Sequence, residues 1–158
     1  MWWYILAGVA VLVLSVLLQD RSPIPETSGH VHKIADPKEL DTVLASNKSV
    51  VVDFYADWCP PCRAIAPVFS KLADENATKG KLAFAKVNVD HVKDVAGRYG
   101  ITAMPTFVFF SYGKPEPVAV EGIKGSSSIV LSDDGRVDRV RGADAATLKK
   151  VVAALKSS

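Results

Sequence analysis

The sequence has only two cysteines, Cys59 and Cys62, in 158 residues. A small scaffold held by several disulfides is therefore excluded. A structural zinc site is also disfavoured. Two thiolates supply half a tetrahedron, and the remaining ligands would have to be His30, His32 or His91. An excess of one charge is missing as well: 19 Lys and Arg stand against 17 Asp and Glu, a net charge of +2. That balance gives no electrostatic footprint for nucleic acid. From Trp2 to Leu18 charge is lacking altogether, and every residue except Gly8 and Ser15 is apolar. The whole chain is 49% hydrophobic and 23% charged, so it is neither disordered nor low in complexity. Its length leaves room for one domain of ordinary size, and no internal repeat is present.

A helix over Trp2–Leu18 would span about 26 Å, the short end of the membrane-crossing range. Trp2, Trp3 and Tyr4 lie together at one end, where aromatic rings favour the bilayer interface. Residues 2–18 are therefore expected to be a transmembrane anchor or signal-anchor. A single-pass membrane protein follows, with the thin endoplasmic reticulum membrane favoured. The alternative is a cleaved signal peptide and the secretory pathway. Against it, no Lys or Arg precedes the segment, and Leu17-Leu18-Gln19-Asp20 is a poor cleavage site. A mitochondrial targeting peptide would be Arg-rich and amphipathic, and a core helix would not be apolar on every face. Residues 19–29, with Pro23, Pro25, Ser22 and Ser28, read as an extended linker that holds the domain away from the surface.

Residues 30–158 alternate strand and helix patterns. Val31–Ile34 is a short strand. Asp36-Pro37 reads as an N-cap and first helical position, opening a helix to about Asn47. Val50–Tyr55 is an apolar run with one carboxylate, Asp53, and so a central strand covered on both faces. A helix follows from near Pro60, with Ile65, Val68 and Leu72 on one face. Then come a strand over Leu82–Val89, a helix over His91–Tyr99 ended by Gly100, and a strand over Thr106–Phe110. A final helix starts at Asp144, with Leu148, Val151, Val152 and Leu155 at helical spacing. This order implies an α/β fold with helices on both faces of a sheet.

The chemistry lies in Trp58-Cys59-Pro60-Pro61-Cys62, at a strand-to-helix junction. A helix N-terminus presents unpaired N–H groups and partial positive charge, which stabilise a thiolate at Cys59. The three-residue offset puts both sulfurs on one side of the first turn, where they can close a small disulfide.

Around these residues the sequence resembles the thioredoxin family, over roughly residues 30–156. The resemblance is carried by Asp53-Phe54-Tyr55-Ala56, Trp58-Cys59, Pro61-Cys62, Lys86, Tyr99-Gly100-Ile101, Met104-Pro105-Thr106 and Gly142-Ala143, all in the family's order. It implies a thioredoxin fold with a central mixed sheet. It also implies a protein-disulfide reductase, for which no cofactor and no metal are expected. Cys59 would be the nucleophile and Cys62 the resolving thiol. Asp53, its pKa raised by burial, would exchange a proton with Cys62, or else simply pair with Lys86 as an accessory ion pair. Trp58, Pro60, Pro61, Met104, Pro105 and Gly142 would form the substrate-binding surface, with Pro105 cis. Pro67 should kink the active-site helix. The partners implied are protein disulfide substrates, a membrane through residues 2–18, and a thioredoxin-reductase-type electron donor if the domain is cytosolic.

Two features depart from the family. Pro60 stands where glycine is usual, so one backbone donor near the thiolate is missing. Between Phe110 and Gly142 there is an insertion at about 114–136. It starts at the pole opposite the dithiol and contains an Asp133-Asp134-Gly135 hairpin turn, and it should add a strand or two at the sheet edge. It is either a surface elaboration or a docking element. Two other functions stay open at this level. One is a disulfide isomerase or oxidase in an oxidising lumen. The other is a non-catalytic tethered docking module, which would need none of Asp53, Cys59 and Cys62.

Overall fold

The structure is a computed structural model that describes residues 1–158. It opens with helix α1, Trp2–Leu17, whose 16 residues are all exposed. No helix of the structure is long and apolar enough to cross a membrane. At about 24 Å, α1 falls short of the roughly 30 Å hydrocarbon core. The structure therefore does not support the transmembrane anchor expected over 2–18; it shows a 16-residue apolar helix with every residue exposed.

The linker is also corrected. Residues 20–28 do not hold the domain at a distance but lie against it. Ile24 and Ser28 are buried. The Ile24 N–H donates to Asp57 Oδ1 at 3.0 Å, and Ser28 Oγ donates to Asp74 Oδ1 at 2.6 Å. A composition of proline and serine favours an extended chain, but these tertiary partners decide where that chain lies.

The domain follows as β1 Val31–Ile34, α2 Pro37–Ser46, β2 Ser49–Tyr55, α3 Pro60–Asn76, β3 Leu82–Asn88, α4 Lys93–Arg98, β4 Thr106–Ser111, β5 Lys114–Pro115, β6 Ile129–Leu131, β7 Val137–Arg141 and α5 Ala145–Ser157. Asp36 caps α2, accepting the Glu39 N–H at 2.9 Å, with Pro37 in the first turn. Helix α4 begins two residues later than the sequence suggests. The carbonyl oxygen of Asn88 accepts the His91 and Val92 N–H groups at 3.1 and 2.9 Å, so a turn occupies that stretch.

The sheet order is β1-β3-β2-β4-β7-β6, with β5 pairing β4. Strands β1, β3 and β2 run parallel, and β4, β7 and β6 join antiparallel. The sheet is therefore mixed, with buried β2 at its centre. Alternation along β2 sends Val50, Val52 and Phe54 into a core with Leu40, Leu44 and Val95 from α2 and α4. Val51 points the other way, into a core with Ile65, Phe69 and Leu72 of α3 and Leu148, Val151 and Val152 of α5. Phe69 meets Phe84 edge-on at 5.7 Å and lies 5.8 Å from Phe107. By the same period of two, Asp53 shares the α3 face with Val51, and Lys86 shares it with Phe84. The fold thereby directs a carboxylate and an ammonium beneath the start of α3.

The insertion adds two short strands. β5 folds back on β4, and β6 extends the sheet beyond β7. Its turn is the expected one: Gly135 has φ +81°, and its N–H donates to the Ser132 carbonyl at 2.9 Å. The insertion is more than a surface loop, because Val118 is buried in the α3–α5 core and Val120, Ile123, Ile129 and Leu131 pack against it.

Candidate active site

Cys59 and Cys62 are joined by a disulfide, with their Cα atoms 5.2 Å apart. Cys59 is the N-cap of α3, and its Sγ accepts the Cys62 N–H at 3.3 Å. This is the helix-terminus arrangement that favours negative charge on sulfur. Pro60 and Pro61 open the helix, where a missing N–H costs no helical bond. Pro67 sits inside α3 and leaves the Arg63 carbonyl without its helical partner.

Both sulfurs are buried, while the rim around them is open. Pro60 and Pro61 are exposed, and Trp58 is 40% exposed. Trp58 is held in place by its indole N–H, which donates to Asp90 Oδ2 at 2.9 Å. The Met104–Pro105 peptide bond is cis. Cys59 Sγ lies 3.5 Å from the Met104 carbonyl oxygen, and Met104 packs partly buried against the dithiol. Gly142, at φ +84°, donates its N–H to the Pro105 carbonyl at 2.7 Å. Met104 thus lies beside the disulfide and Gly142 is tied to it through buried Pro105, while Trp58, Pro60 and Pro61 flank Cys59 in the chain.

The insertion starts at the far pole but returns to this one. The Arg141 N–H donates to the Ser128 carbonyl, and Ser128 Oγ donates to Asp144 Oδ2, both at 2.7 Å. Residues 126–128 therefore stand beside Gly142.

Behind Cys62 lies a cavity of about 10 Å³, lined by Ile24, Glu26, Asp53, Tyr55, Cys62, Ala66, Phe69 and Lys86. That is room for about one water molecule. Asp53 is buried, and its Oδ1 has no hydrogen-bond partner. Burial pushes its carboxyl up to about 7, against the pull of Lys86 and with the added repulsion of Glu26. Burial likewise pushes the Tyr55 hydroxyl up to about 12, helped by Asp57 and Asp53. Lys86 is in register with Asp53 on the neighbouring strand. Its Nζ, however, lies 2.9 Å from Glu26 Oε2, so the ion pair expected between Asp53 and Lys86 goes to Glu26 instead.

The residues the sequence reading missed are Ile24, Glu26, Asp57, Ser70 and Asp90. Their signals were weak. Glu26 and Ile24 sit in a proline-flanked segment that reads as linker, Asp57 and Asp90 look like ordinary polar residues just after strands, and Ser70 like an ordinary residue inside α3.

Residues 31–134 match the family model described as thioredoxin. The chain belongs to the thioredoxin family. It is 59% identical over 104 residues to a thioredoxin-like protein of Fusarium culmorum, covering 64% of this chain and 84% of that one. It is 48% identical over 95 residues to a thioredoxin of Neurospora crassa, covering 60% of this chain and 73% of that one. Among solved structures, it superposes on the Malassezia sympodialis thioredoxin with a TM-score of 0.59 at 35% identity, covering 81% of this chain and 91% of that one. Its fold is the thioredoxin fold. With its Cys59–Cys62 disulfide, this family member is a thiol–disulfide oxidoreductase.

Proposed function

We propose that the protein works in the reducing direction, through Cys59 as nucleophile and Cys62 as resolving thiol. In the dithiol form the Cys59 thiolate attacks a substrate disulfide. A Cys59–substrate bond forms, and one substrate thiolate leaves and takes up a proton. Asp53 then accepts the Cys62 proton. The Cys62 thiolate attacks Cys59 Sγ, the Cys59–Cys62 disulfide closes, and the second substrate thiol is released. Two electrons pass from the protein dithiol to the substrate disulfide, and an external dithiol restores the starting state.

The observation that carries this reading is the cavity itself. A carboxyl with a free oxygen and a pKa near neutrality lines the same small space as Cys62, which suits a proton acceptor for a thiol. Peptide docking alone requires neither that carboxyl nor a dithiol. Trp58, Pro60, Pro61, Met104, Pro105 and Gly142 form the substrate face on this reading. The Met104 carbonyl oxygen, 3.5 Å from Cys59 Sγ, puts a stretch of backbone beside the sulfur to pair with an extended peptide.

The reading extends to location. Helix α1 has no charge and no partner in the chain, so a bilayer is the proposed partner. Its apolar side chains would enter the hydrocarbon and Trp2, Trp3 and Tyr4 would sit at the headgroups. A helix this short is least mismatched in a thin bilayer such as the endoplasmic reticulum. Where the domain faces the cytosol, a thioredoxin-reductase-type enzyme would supply the electrons.

Insulin reduction with dithiothreitol as donor tests the activity. The full chain in detergent is expected to accelerate the appearance of insulin turbidity, and Cys59→Ser is expected to abolish the acceleration. A folded, reduced wild type that leaves insulin intact would overturn the reductase reading.

A further inference from the structure

Residues 20–28 form a strap along the flank of α3 that closes the cavity behind Cys62. Ile24 is buried against Tyr55, Ala56, Cys59 and Cys62. Next along the strap, both oxygens of Glu26 are engaged. Oε2 takes Lys86 Nζ at 2.9 Å, while Oε1 accepts from Ser70 Oγ at 2.5 Å and from the Ser28 N–H at 3.0 Å. The pair is largely removed from water: the Lys86 side chain is 5% exposed and that of Glu26 is 17% exposed. Charges at such depth are weakly screened, and a buried cation pairs where its partner is best placed.

Lys86 had a choice of two carboxylates. Asp53 is its register partner across the parallel strands, yet the ammonium is held by Glu26, and Asp53 Oδ1 is left unpartnered. We propose that Glu26 is a positioning residue of the redox site, holding the Lys86 ammonium so that the Asp53 carboxyl stays available as the proton acceptor of Cys62. The inference rests on the reading of Asp53 given under Proposed function.

The groups around Asp53 are few. Lys86 faces it from β3 and Glu26 from the strap. The Tyr55 hydroxyl and Asp57 belong to the end of β2 and the turn after it, and Cys59 and Cys62 to the start of α3. Arg63, the next cation on α3, is turned away toward Asp20 and Ser22. Of these charged groups, only Lys86 lowers Asp53's affinity for a proton, while Glu26 raises it. Replacing the Glu26 charge therefore acts twice in one direction: it removes a repulsion and frees the ammonium for Asp53.

The test uses the full chain and follows two readouts in wild type, Glu26→Gln and Glu26→Asp. The first is the carbon-13 titration of the Asp53 carboxyl in the disulfide form. The second is the pH profile of insulin reduction. In Glu26→Gln the Asp53 midpoint is expected to fall by about one pH unit, and the acidic limb of the rate profile should move with it. Glu26→Asp keeps the charge and should return both toward wild type. An unchanged midpoint in Glu26→Gln, or equal shifts in the Gln and Asp variants, would overturn the proposal, since the second result marks a loosened strap rather than a charge effect. If Glu26→Gln does not fold, Lys86→Met decides. Its Asp53 midpoint should rise, because Glu26 is then uncompensated beside it; a midpoint that stays put overturns the proposal. A wild type inactive on insulin would sink the reductase reading while leaving the Asp53 titration to judge Glu26 separately.

Discussion

Lys86 points at Glu26 across 2.9 Å, although its register partner is Asp53. The carboxylate it takes comes from a segment before the first strand of the domain, and the one it leaves lies beneath the resolving cysteine. This arrangement gives the site a buried carboxyl with no hydrogen bond at one oxygen.

That carboxyl makes stability depend on pH in an unusual direction. Burial, opposed by Lys86 and reinforced by Glu26, raises Asp53 from 3.8 to about 7 in the folded protein. Between those values the native state binds more protons than the unfolded chain, so stability falls as pH rises through this window. Asp53→Asn removes the ionisation. Oxidised Asp53→Asn is expected to be more stable than wild type at pH 8, by about 4 kcal/mol from the size of the shift. The advantage should vanish near pH 4. Denaturant midpoints across pH 4–8 check this, and a constant difference between the two proteins would contradict it.

The strap predicts a protease result. Residues 20–28 are tied down by Ile24, Glu26 and Ser28, so limited proteolysis should spare them in wild type. Ile24→Ala loses about 2 kcal/mol of apolar burial, roughly a thirtyfold rise in the undocked fraction. Cleavage between residues 19 and 29 should become correspondingly faster. Equal rates in both proteins would restore the free-linker picture.

The apolar helix α1 predicts partition into membranes. After carbonate extraction the full chain should stay in the membrane pellet with its N-terminus at Met1 or Trp2. Release by carbonate, with a mature N-terminus near Gln19, would show a cleaved signal peptide and favour an oxidising lumen.

Much of this was legible in the sequence because it is written locally. Trp58-Cys59-Pro60-Pro61-Cys62 at a strand-to-helix junction, Asp53 in an apolar strand, and Met104-Pro105-Thr106 each carry their meaning within a few residues. The element order and the Asp133-Asp134-Gly135 turn were readable for the same reason. What was not legible is set by distant partners. Glu26 meets Ser70 and Lys86, and Ile24 meets Asp57. No local pattern encodes those pairings, and prolines on either side of Ile24 suggest a spacer. The late start of α4 has a similar cause, since the Asn88 carbonyl captures the turn before it.

The division of labour between the two cysteines is the central claim, and trapping measures it most directly. Cys59 caps α3 and takes a backbone N–H on its sulfur, whereas Cys62 lines the cavity with Asp53. Each variant is incubated with oxidised protein substrates and resolved on non-reducing gels. Cys62→Ser should accumulate mixed disulfides through Cys59 that dithiothreitol releases, and Cys59→Ser should trap nothing. Adducts on Cys59→Ser, with none on Cys62→Ser, would contradict the account.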